Sequence, residues 1–208
     1  MQLHHWINLF MEQIKETSWL QWIAVITGVA EVLLARINNV WLYPAGIIST
    51  VLSIILLFEA QLYADSLLNV YYVIMSVYGW YHWIKKRNQP SVKITYANKT
   101  EWLITLLISL GGWLVLYVLL KSFTPSNVPV WDALVSSTAW AGMWLLARRK
   151  MENWLLLNIS NLFAIPLLFY KQLPMFAILT LFLFVIAFFG YFEWRKLYRQ
   201  ESFSTPSI

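Results

Sequence analysis

The sequence predicts an all-α membrane protein, and three observations carry that prediction. Hydrophobic residues make up 60% of the 208 positions and charged residues only 12%, whereas a soluble domain carries about 25% charged residues. Apolar runs of about 18 residues or more recur along the chain, and each can cross a hydrocarbon core roughly 30 Å thick as a helix. Because these runs lack the alternation of membrane strands, helices are the structure that satisfies their backbone groups in lipid.

We predict seven membrane spans, preceded by a helix that lies in the membrane interface. Residues 1–18 carry apolar side chains at helical spacing and lack the basic start and cleavage site of a signal peptide. The predicted spans are residues 19–36, 40–58, 62–84, 102–121, 131–148, 152–170 and 174–194. Tryptophans near the span ends are interpreted as interface anchors, namely Trp19, Trp22, Trp102 and Trp194.

An internal repeat relates the first three spans to the last three. Three pairs of segments match at an offset of 111 or 112 residues: LLAR at 33–36 and 145–148, LLFEAQL at 56–62 with LLFYKQL at 167–173, and YGWYHW at 78–83 with FGYFEW at 189–194. Because corresponding spans are four apart, both copies cross the membrane in the same direction. The sequence therefore predicts seven transmembrane helices in a 3+1+3 arrangement of two parallel triple-helix repeats.

This repeat divides the chain into five predicted parts. They are an interfacial N-terminal segment at 1–18, a first triple-helix bundle at 19–84, a linker containing the fourth transmembrane helix at 85–130, a second bundle at 131–196, and a cytoplasmic tail at 197–208. Of the 15 basic residues, Lys15, Lys121 and Lys171 fall on the side of the N-terminus, and all others fall on the opposite side. The positive-inside rule therefore places the C-terminus in the cytoplasm and the N-terminus outside.

Polar and aromatic side chains form stripes along three of the predicted spans. Residues spaced by three or four positions share one face of a helix, and polar groups inside a span should face protein or water. These stripes predict one wet central cavity with substrate-binding residues Asn69, Tyr72 and Ser76 on span three, Trp140 and Trp144 on span five, and Trp154, Asn158 and Asn161 on span six. The alternative is that the amides and hydroxyls only join neighbouring helices through hydrogen bonds.

Three carboxylates and two glycines need separate interpretation. Glu31 lies inside span one, where it could pair with Arg36 or carry a proton, while Asp132 and Glu152 stand at helix starts that stabilise negative charge. Structural pairing is the favoured role for all three. The glycines of the two matching aromatic motifs, Gly79 and Gly190, are expected to allow close helix approach.

Several functional classes find no support in the sequence. The chain has no cysteine, which removes thiol catalysis and thiolate metal sites. Its three histidines are dispersed, and it contains no nucleophile, zinc-protease or phosphate-loop motif, so neither an enzyme nor a metal site or other cofactor is predicted. The net charge of +5 resides at span ends and is a topology signal, which argues against nucleic acid as a partner.

The sequence resembles the PnuC family of bacterial vitamin transporters. The resemblance rests on QLYADSLLNVYYVIMSVYGWYHW at 61–83, on VWDALVSSTAWAGMWLLARRKMENW at 130–154, and on the 3+1+3 layout. It implies a SWEET-like fold, a homotrimer in the bacterial inner membrane, and facilitated diffusion of nicotinamide riboside, or of thiamine or riboflavin in subgroups. Of the family motif Trp-x-x-Trp-x-x-x-Asn, Trp154 and Asn161 match while Leu157 replaces the second tryptophan, and Phe189 replaces a further family asparagine.

The favoured prediction is therefore a transporter for a small cationic vitamin, most directly nicotinamide riboside. Its flat cationic ring suits a cavity of Trp and Tyr faces, and amide side chains suit its ribose hydroxyls. Thiamine is also a flat cation and remains an alternative at this stage. A proton-coupled transporter and a membrane scaffold or sensor without transport are the alternatives from other classes.

Overall fold

The computed structural model is all-helical and describes residues 2–59, 63–85 and 93–203. The α-helices are α1 (Gln2–Glu16), α2 (Trp19–Arg36), α3 (Leu42–Glu59), α4 (Tyr63–Lys85), α5 (Lys99–Leu106), α6 (Gly112–Phe123), α7 (Pro129–Ala147), α8 (Asn153–Tyr170) and α9 (Pro174–Phe203). A π-helical turn, Leu107–Gly111, joins α5 to α6. Lys86, Arg87 and residues 204–208, to which the sequence assigns cytoplasmic positions, lie outside the described residues.

Reciprocal side-chain caps fix where two of the helices begin. Ser18 accepts a hydrogen bond from the backbone N–H of Gln21, whose side chain accepts one from the backbone of Ser18. Asn98 and Glu101 form the same capping box at the start of α5. Such a box satisfies two of the backbone N–H groups that a helix start leaves without partners.

Five helices are long and apolar enough to cross a membrane by length and composition. They are Trp19–Arg36, Leu42–Glu59, Lys99–Phe123, Asn153–Tyr170 and Pro174–Glu201. The other two predicted spans correspond to α4 and α7, which contain 23 and 19 residues but have a lower mean hydropathy than those five. Ala133, Ser137, Ala141 and Gly142 of α7 are buried among other helices, so this helix needs fewer apolar residues against lipid.

The helices pack in two groups with the same order of contacts. In the first group α2 contacts α3 and α3 contacts α4, and in the second α7 contacts α8 and α8 contacts α9. Two further contacts join the groups, between α2 and α9 and between α4 and α7. Helices α5 and α6 pack mainly on α7, and α1 lies against the start of α9, where Gln13 accepts a hydrogen bond from the Met175 N–H (3.1 Å).

Contacts within each group recur at the offset found in the sequence. Ser49 on α3 donates to the Ala24 carbonyl on α2 (2.7 Å), and Ser160 on α8 donates to the Val135 carbonyl on α7 (2.8 Å). Both pairs of residues are 111 positions apart. A small hydroxyl thus ties the first two helices of each group together at the same depth.

Contacts between the groups also recur. The Trp83 indole N–H on α4 donates to the Ala147 carbonyl at the end of α7 (3.2 Å), and the Trp194 N–H on α9 donates to the Ala35 carbonyl at the end of α2 (2.9 Å). The interpretation of Trp194 as an interface anchor is therefore wrong, because its side chain is fully buried. Trp19, by contrast, is 70% exposed, as an anchor would be.

The linker before α5 packs against the turn between α7 and α8. Thr95 bridges this turn through hydrogen bonds with the Arg149 carbonyl (3.2 Å) and the Met151 N–H (3.0 Å). Ile94 beside it is 1% exposed. At the other end of the chain α9 continues to Phe203, so the first residues assigned to a cytoplasmic tail continue this helix.

Candidate functional site

A cavity of about 720 Å³ opens between the first group of helices and α9. Its volume lies in the range of small-molecule sites, about 300–1,000 Å³. Gln13, Thr17 and Gln21 line its mouth near the α1–α2 junction, and Glu31 and Asn69 contribute polar groups from α2 and α4. The rest of the lining is mostly apolar, so these polar groups stand out as the ones able to orient a ligand.

Glu31 occupies a space that a glycine on the neighbouring helix leaves open. A Cβ added to Gly46 on α3 would lie 2.5 Å from the Glu31 carboxyl carbon, closer than two nonbonded atoms can approach. The carboxylate therefore packs directly on the α3 backbone. The Tyr72 side chain on α4 interacts electrostatically with this carboxyl group.

The carboxylates do not all take the structural pairing expected of them. Arg36 binds Glu193 on α9, with its Nε atom 2.9 Å from Oε1, and not Glu31. In the part of the chain that the structure describes, no salt bridge or side-chain hydrogen bond involves Glu31. Asp132 does pair, with Lys171 at 2.7 Å, and Glu152 accepts the Ala97 N–H at 3.0 Å.

A layer of four aromatic rings lies beyond the cavity, towards the ends of α2, α4 and α9. Tyr43 meets Trp83 edge-on at 5.1 Å between ring centroids, and Trp154 meets Trp194 edge-on at 5.6 Å. Trp83 and Trp194 are 6.4 Å apart, which joins the two pairs. All four rings belong to one buried core cluster, so we call them the aromatic layer.

Glycines make room for two rings of the aromatic layer. A Cβ on Gly79 would lie 2.4 Å from the Tyr43 ring, and one on Gly190 would lie 2.6 Å from the Trp154 ring. These are the glycines of the repeated aromatic motifs. The motif thus couples a glycine that receives a ring with a tryptophan that binds the opposite group of helices.

The aromatic layer also holds a cation. The Arg149 guanidinium lies 4.0 Å from the centroid of the Trp83 ring, a cation–π distance. Burial lowers the pKa of the Arg149 guanidinium from its ordinary value, but that value is high enough for arginine to stay charged. A fixed positive charge therefore lies on the side of the layer opposite the cavity mouth.

Among the described residues, several buried polar atoms have no hydrogen-bond partner. On α3, α4 and α8 they are Tyr43 Oη, Ser76 Oγ, Asn153 Oδ1, Trp154 Nε1 and Asn158 Oδ1. Buried polar groups almost always find a partner, and leaving one without costs about 1–3 kcal/mol. A hydroxylated ligand, or water in its place, could supply the hydrogen bonds that these donor and acceptor atoms lack.

The predicted residues on α4 lie at different depths of the first group. Asn69 lines the cavity, and Tyr72, one turn further, interacts electrostatically with Glu31. Ser76 is buried with its hydroxyl unpartnered. The stripe therefore runs from the cavity towards the aromatic layer, as one face of a helix should.

The predicted residues on α7 and α8 lie outside the cavity lining. Trp140 stacks on Tyr71 at 4.5 Å and packs in the cluster between α6 and α7, and Trp144 lies beneath the Arg148 guanidinium at 5.8 Å. On α8, Trp154 belongs to the aromatic layer. The remaining two, Asn158 and Asn161, are half-buried on the following turns.

The structure draws attention to two residues, Glu31 and Tyr43, that the sequence does not predict to bind substrate. Glu31 is expected from the sequence to pair structurally, and Tyr43 is not among the predicted substrate-binding residues. The repeat offset was the available signal for Tyr43, because position 43 corresponds to Trp154. For Glu31 the signal was a charge inside an apolar run, which by itself marks a functional position.

An all-helical chain with several apolar helices and a carboxylate-bearing cavity between them has the construction of a membrane transporter. The chain belongs to the nicotinamide mononucleotide transporter family, whose model matches residues 18–196. The resemblance to the PnuC family seen in the sequence is thereby confirmed, and the protein is a multi-pass membrane transporter.

Two curated relatives and one solved structure are similar to this chain. It is 27% identical over 176 residues to the nicotinamide riboside transporter PnuC of Escherichia coli K12, covering 72% of this chain and 74% of that protein. It is 25% identical over 199 residues to the PnuC of Neisseria mucosa, covering 89% and 75%. The crystal structure of the vitamin B3 transporter PnuC matches with a TM-score of 0.70 at 22% identity, over 95% of this chain and 90% of that one, which shows the fold.

Proposed function

We propose that this protein carries nicotinamide riboside across the bacterial cytoplasmic membrane by facilitated diffusion. The observation that carries the proposal is the 720 Å³ cavity, which is polar at Glu31 and Asn69 and is also lined by residues of α1. The names of the two curated relatives support this substrate over thiamine. A positively charged nicotinamide ring fits beside a carboxylate, and the amide of Asn69 offers both a donor and an acceptor to ribose hydroxyls.

The wider site in this proposal includes the open polar atoms of both groups of helices. Tyr72 and Ser76 approach it from α4, and Trp154, Asn158 and Asn161 approach it from α8. The roles of Trp140 and Trp144, which pack outside the cavity, are limited to holding α7 in place. Ligand binding would supply the hydrogen bonds that the Ser76 hydroxyl and the Asn158 carbonyl lack.

We further propose that the seven helices α2, α3, α4, α5–α6, α7, α8 and α9 cross the membrane in a 3+1+3 arrangement of two parallel bundles. The contacts repeated at offsets of 111 or 112 support this arrangement, as do the matched contacts between α2 and α9 and between α4 and α7. Bundles related in this way can rock against each other around a site between them. The domain limits that follow are 19–84 and 131–196.

Rocking would open the side now closed by the aromatic layer. The contacts that must separate are the two tryptophan hydrogen bonds between the groups and the ion pair between Arg36 and Glu193. Each such contact is worth about 0.5–1.5 kcal/mol, so a few of them hold one state without preventing exchange. With the C-terminus in the cytoplasm, the present cavity faces outward.

Uptake into proteoliposomes tests the substrate and the mode of transport together. We expect labelled nicotinamide riboside to equilibrate to its outside concentration, unaffected by an imposed proton gradient, and unlabelled nicotinamide riboside to compete better than thiamine. Better competition by thiamine would change the substrate, and accumulation driven by the proton gradient would exclude facilitated diffusion. Native mass spectrometry of the detergent-purified protein tests whether it forms the homotrimer that the resemblance implies. Labelling of a Glu12→Cys variant in intact cells tests whether the N-terminus lies outside.

A further inference from the structure

The two helix groups differ sharply at one pair of positions. In the first group Glu31 on α2 fills the space beside Gly46 on α3. At the matching depth of the second group the sizes are exchanged, since Gly142 on α7 receives Leu157 of α8, whose side chain would lie 2.9 Å from an added Cβ. The same helix crossing is therefore closed by a carboxylate in one group and by an apolar side chain in the other.

The carboxylate is unnecessary for packing, because a leucine closes the equivalent crossing. An ionised side chain at the middle of a membrane helix costs about 2.5–3.5 kcal/mol by insertion measurements, and a buried charge is normally paired. Glu31 nevertheless has no counter-ion among the described residues. A carboxyl group that lines the cavity and has no partner among the described side chains is available to a ligand.

The nearby basic residues are engaged elsewhere. Arg36, one turn along α2, binds Glu193. Arg149 lies on the Trp83 ring. The cavity lining contains Glu31 and Glu16 but no arginine or lysine. Within the described part of the chain the cavity is thus an anionic chamber that favours entry of a cation.

We propose that Glu31 is the counter-ion for the positively charged ring of the transported molecule and so determines that this transporter prefers cations. The proposal rests on the proposed function and adds the residue that selects charge. Gly46 would act as the seat that holds the carboxylate against α3, and the Tyr72 hydroxyl would orient it. Recognition of the sugar belongs to other groups, so the contribution of Glu31 should depend on ligand charge and on little else.

Nicotinamide riboside and its reduced dihydro form provide the test, because they share the sugar and the amide while only the oxidised ring carries a positive charge. We expect Glu31→Gln to weaken binding of the oxidised form at least tenfold, about 1.4 kcal/mol, and to change binding of the reduced form less than threefold. Glu12→Gln, which removes the same charge from an exposed position outside the cavity, should leave both affinities within twofold. Binding is measured by calorimetry on purified protein.

A second variant guards against loss of folding in the first. Glu31→Gly combined with Gly46→Leu copies the pair found in the second group and so conserves packing. It should bind neither form better than the wild type and should lose the preference for the oxidised form. Retention of that preference in both variants would overturn the proposal.

Other outcomes separate this inference from the function on which it rests. If the wild type binds neither form of the riboside, the proposed function fails. If the wild type binds the oxidised form and Glu31→Gln weakens both forms equally, only the counter-ion assignment fails. If Glu31→Gln binds both forms normally but abolishes transport driven by a proton gradient, Glu31 carries a proton and the proposal is wrong.

Discussion

The two groups of helices use the same framework for different tasks. Both hold their first two helices together through a serine, both seat an aromatic ring on a glycine, and both send a tryptophan to the end of the opposite group. The groups differ where their first two helices cross. In the first group Glu31 packs on Gly46, and in the second Leu157 packs on Gly142. In the proposed mechanism the shared contacts form the scaffold, and Glu31 adds the contact with the ligand to it.

The largest expected effect comes from adding a side chain at the two glycines that contact rings of the aromatic layer, which we call the ring seats. Gly79→Ala and Gly190→Ala each place a methyl group 2.4–2.6 Å from ring atoms of a buried aromatic residue, and overpacking of this kind costs about 1–3 kcal/mol. We expect both variants to melt at a clearly lower temperature in detergent and to lose more than nine-tenths of uptake. Equal losses in the two variants would show that the glycine has the same role in both groups of helices.

Gly111→Ala is the matched control for these variants. An added Cβ at Gly111 has no heavy atom within 4 Å, so the melting temperature should be unchanged or slightly raised, since alanine favours helices over glycine. A loss as large as that of Gly79→Ala or Gly190→Ala would contradict this explanation. It would mean that any substitution of glycine in these helices is destabilising, whether or not the glycine contacts a ring.

The next effect concerns the amides proposed to meet the ribose. Asn69→Ala removes a polar group from the cavity lining, and Asn161→Ala removes one from α8. We expect each to weaken uptake at least tenfold, about 1.4 kcal/mol, with normal expression. Thr180→Ala, at the position that corresponds to Asn69 in the second repeat, should change uptake less than twofold. Comparable loss in all three would mean that the loss does not depend on the amide side chains.

A smaller effect is expected from the tryptophan hydrogen bonds between the groups. Trp83→Phe and Trp194→Phe each remove one bond worth about 1 kcal/mol, which shifts the balance towards the state open beyond the aromatic layer by roughly fivefold. Because the chain has no cysteine, a single cysteine at buried Ala187 reports that opening by its labelling rate. The same cysteine with Trp102→Phe should label at the unshifted rate. Faster labelling in only one of the two variants would show that the repeated bonds are not equivalent.

The smallest effect is expected at the ion pair between Arg36 and Glu193. Both side chains are about one-third exposed, and such pairs contribute about 0–1 kcal/mol. Arg36→Met should therefore lower the melting temperature only slightly and leave uptake nearly unchanged. A collapse of uptake would mean that this pair contributes far more to the transport cycle than a partly exposed ion pair should.

The sequence predicted the helices well and their facing surfaces poorly. Hydrophobic run length placed six of the helices within a few residues of their observed bounds, and the repeated motifs at 78–83 and 189–194 pointed to contacts that recur in the structure. Run length carries no information about which side of a helix meets protein. Trp194 was therefore assigned to the interface although it is buried, because an indole near a span end suits either place.

For the candidate site too, the sequence predicted features within one helix but not contacts between helices. Asn69 and Tyr72 followed from helical spacing, which requires only the local structure of α4. The packing of Glu31 could not be predicted in this way. Its carboxyl group fits against α3 only because Gly46 on that helix has no side chain. The separation of Trp140 from the cavity likewise depends on the fourth span, which packs beside it.

A structure of the protein bound to nicotinamide riboside tests the central claim most directly. The account predicts the nicotinamide ring in the 720 Å³ cavity, in contact with the Glu31 carboxylate, with the ribose towards Asn69. A ligand bound instead in the outer pocket lined by Trp131, Phe163 and Tyr170, with the cavity at Glu31 empty, would contradict it.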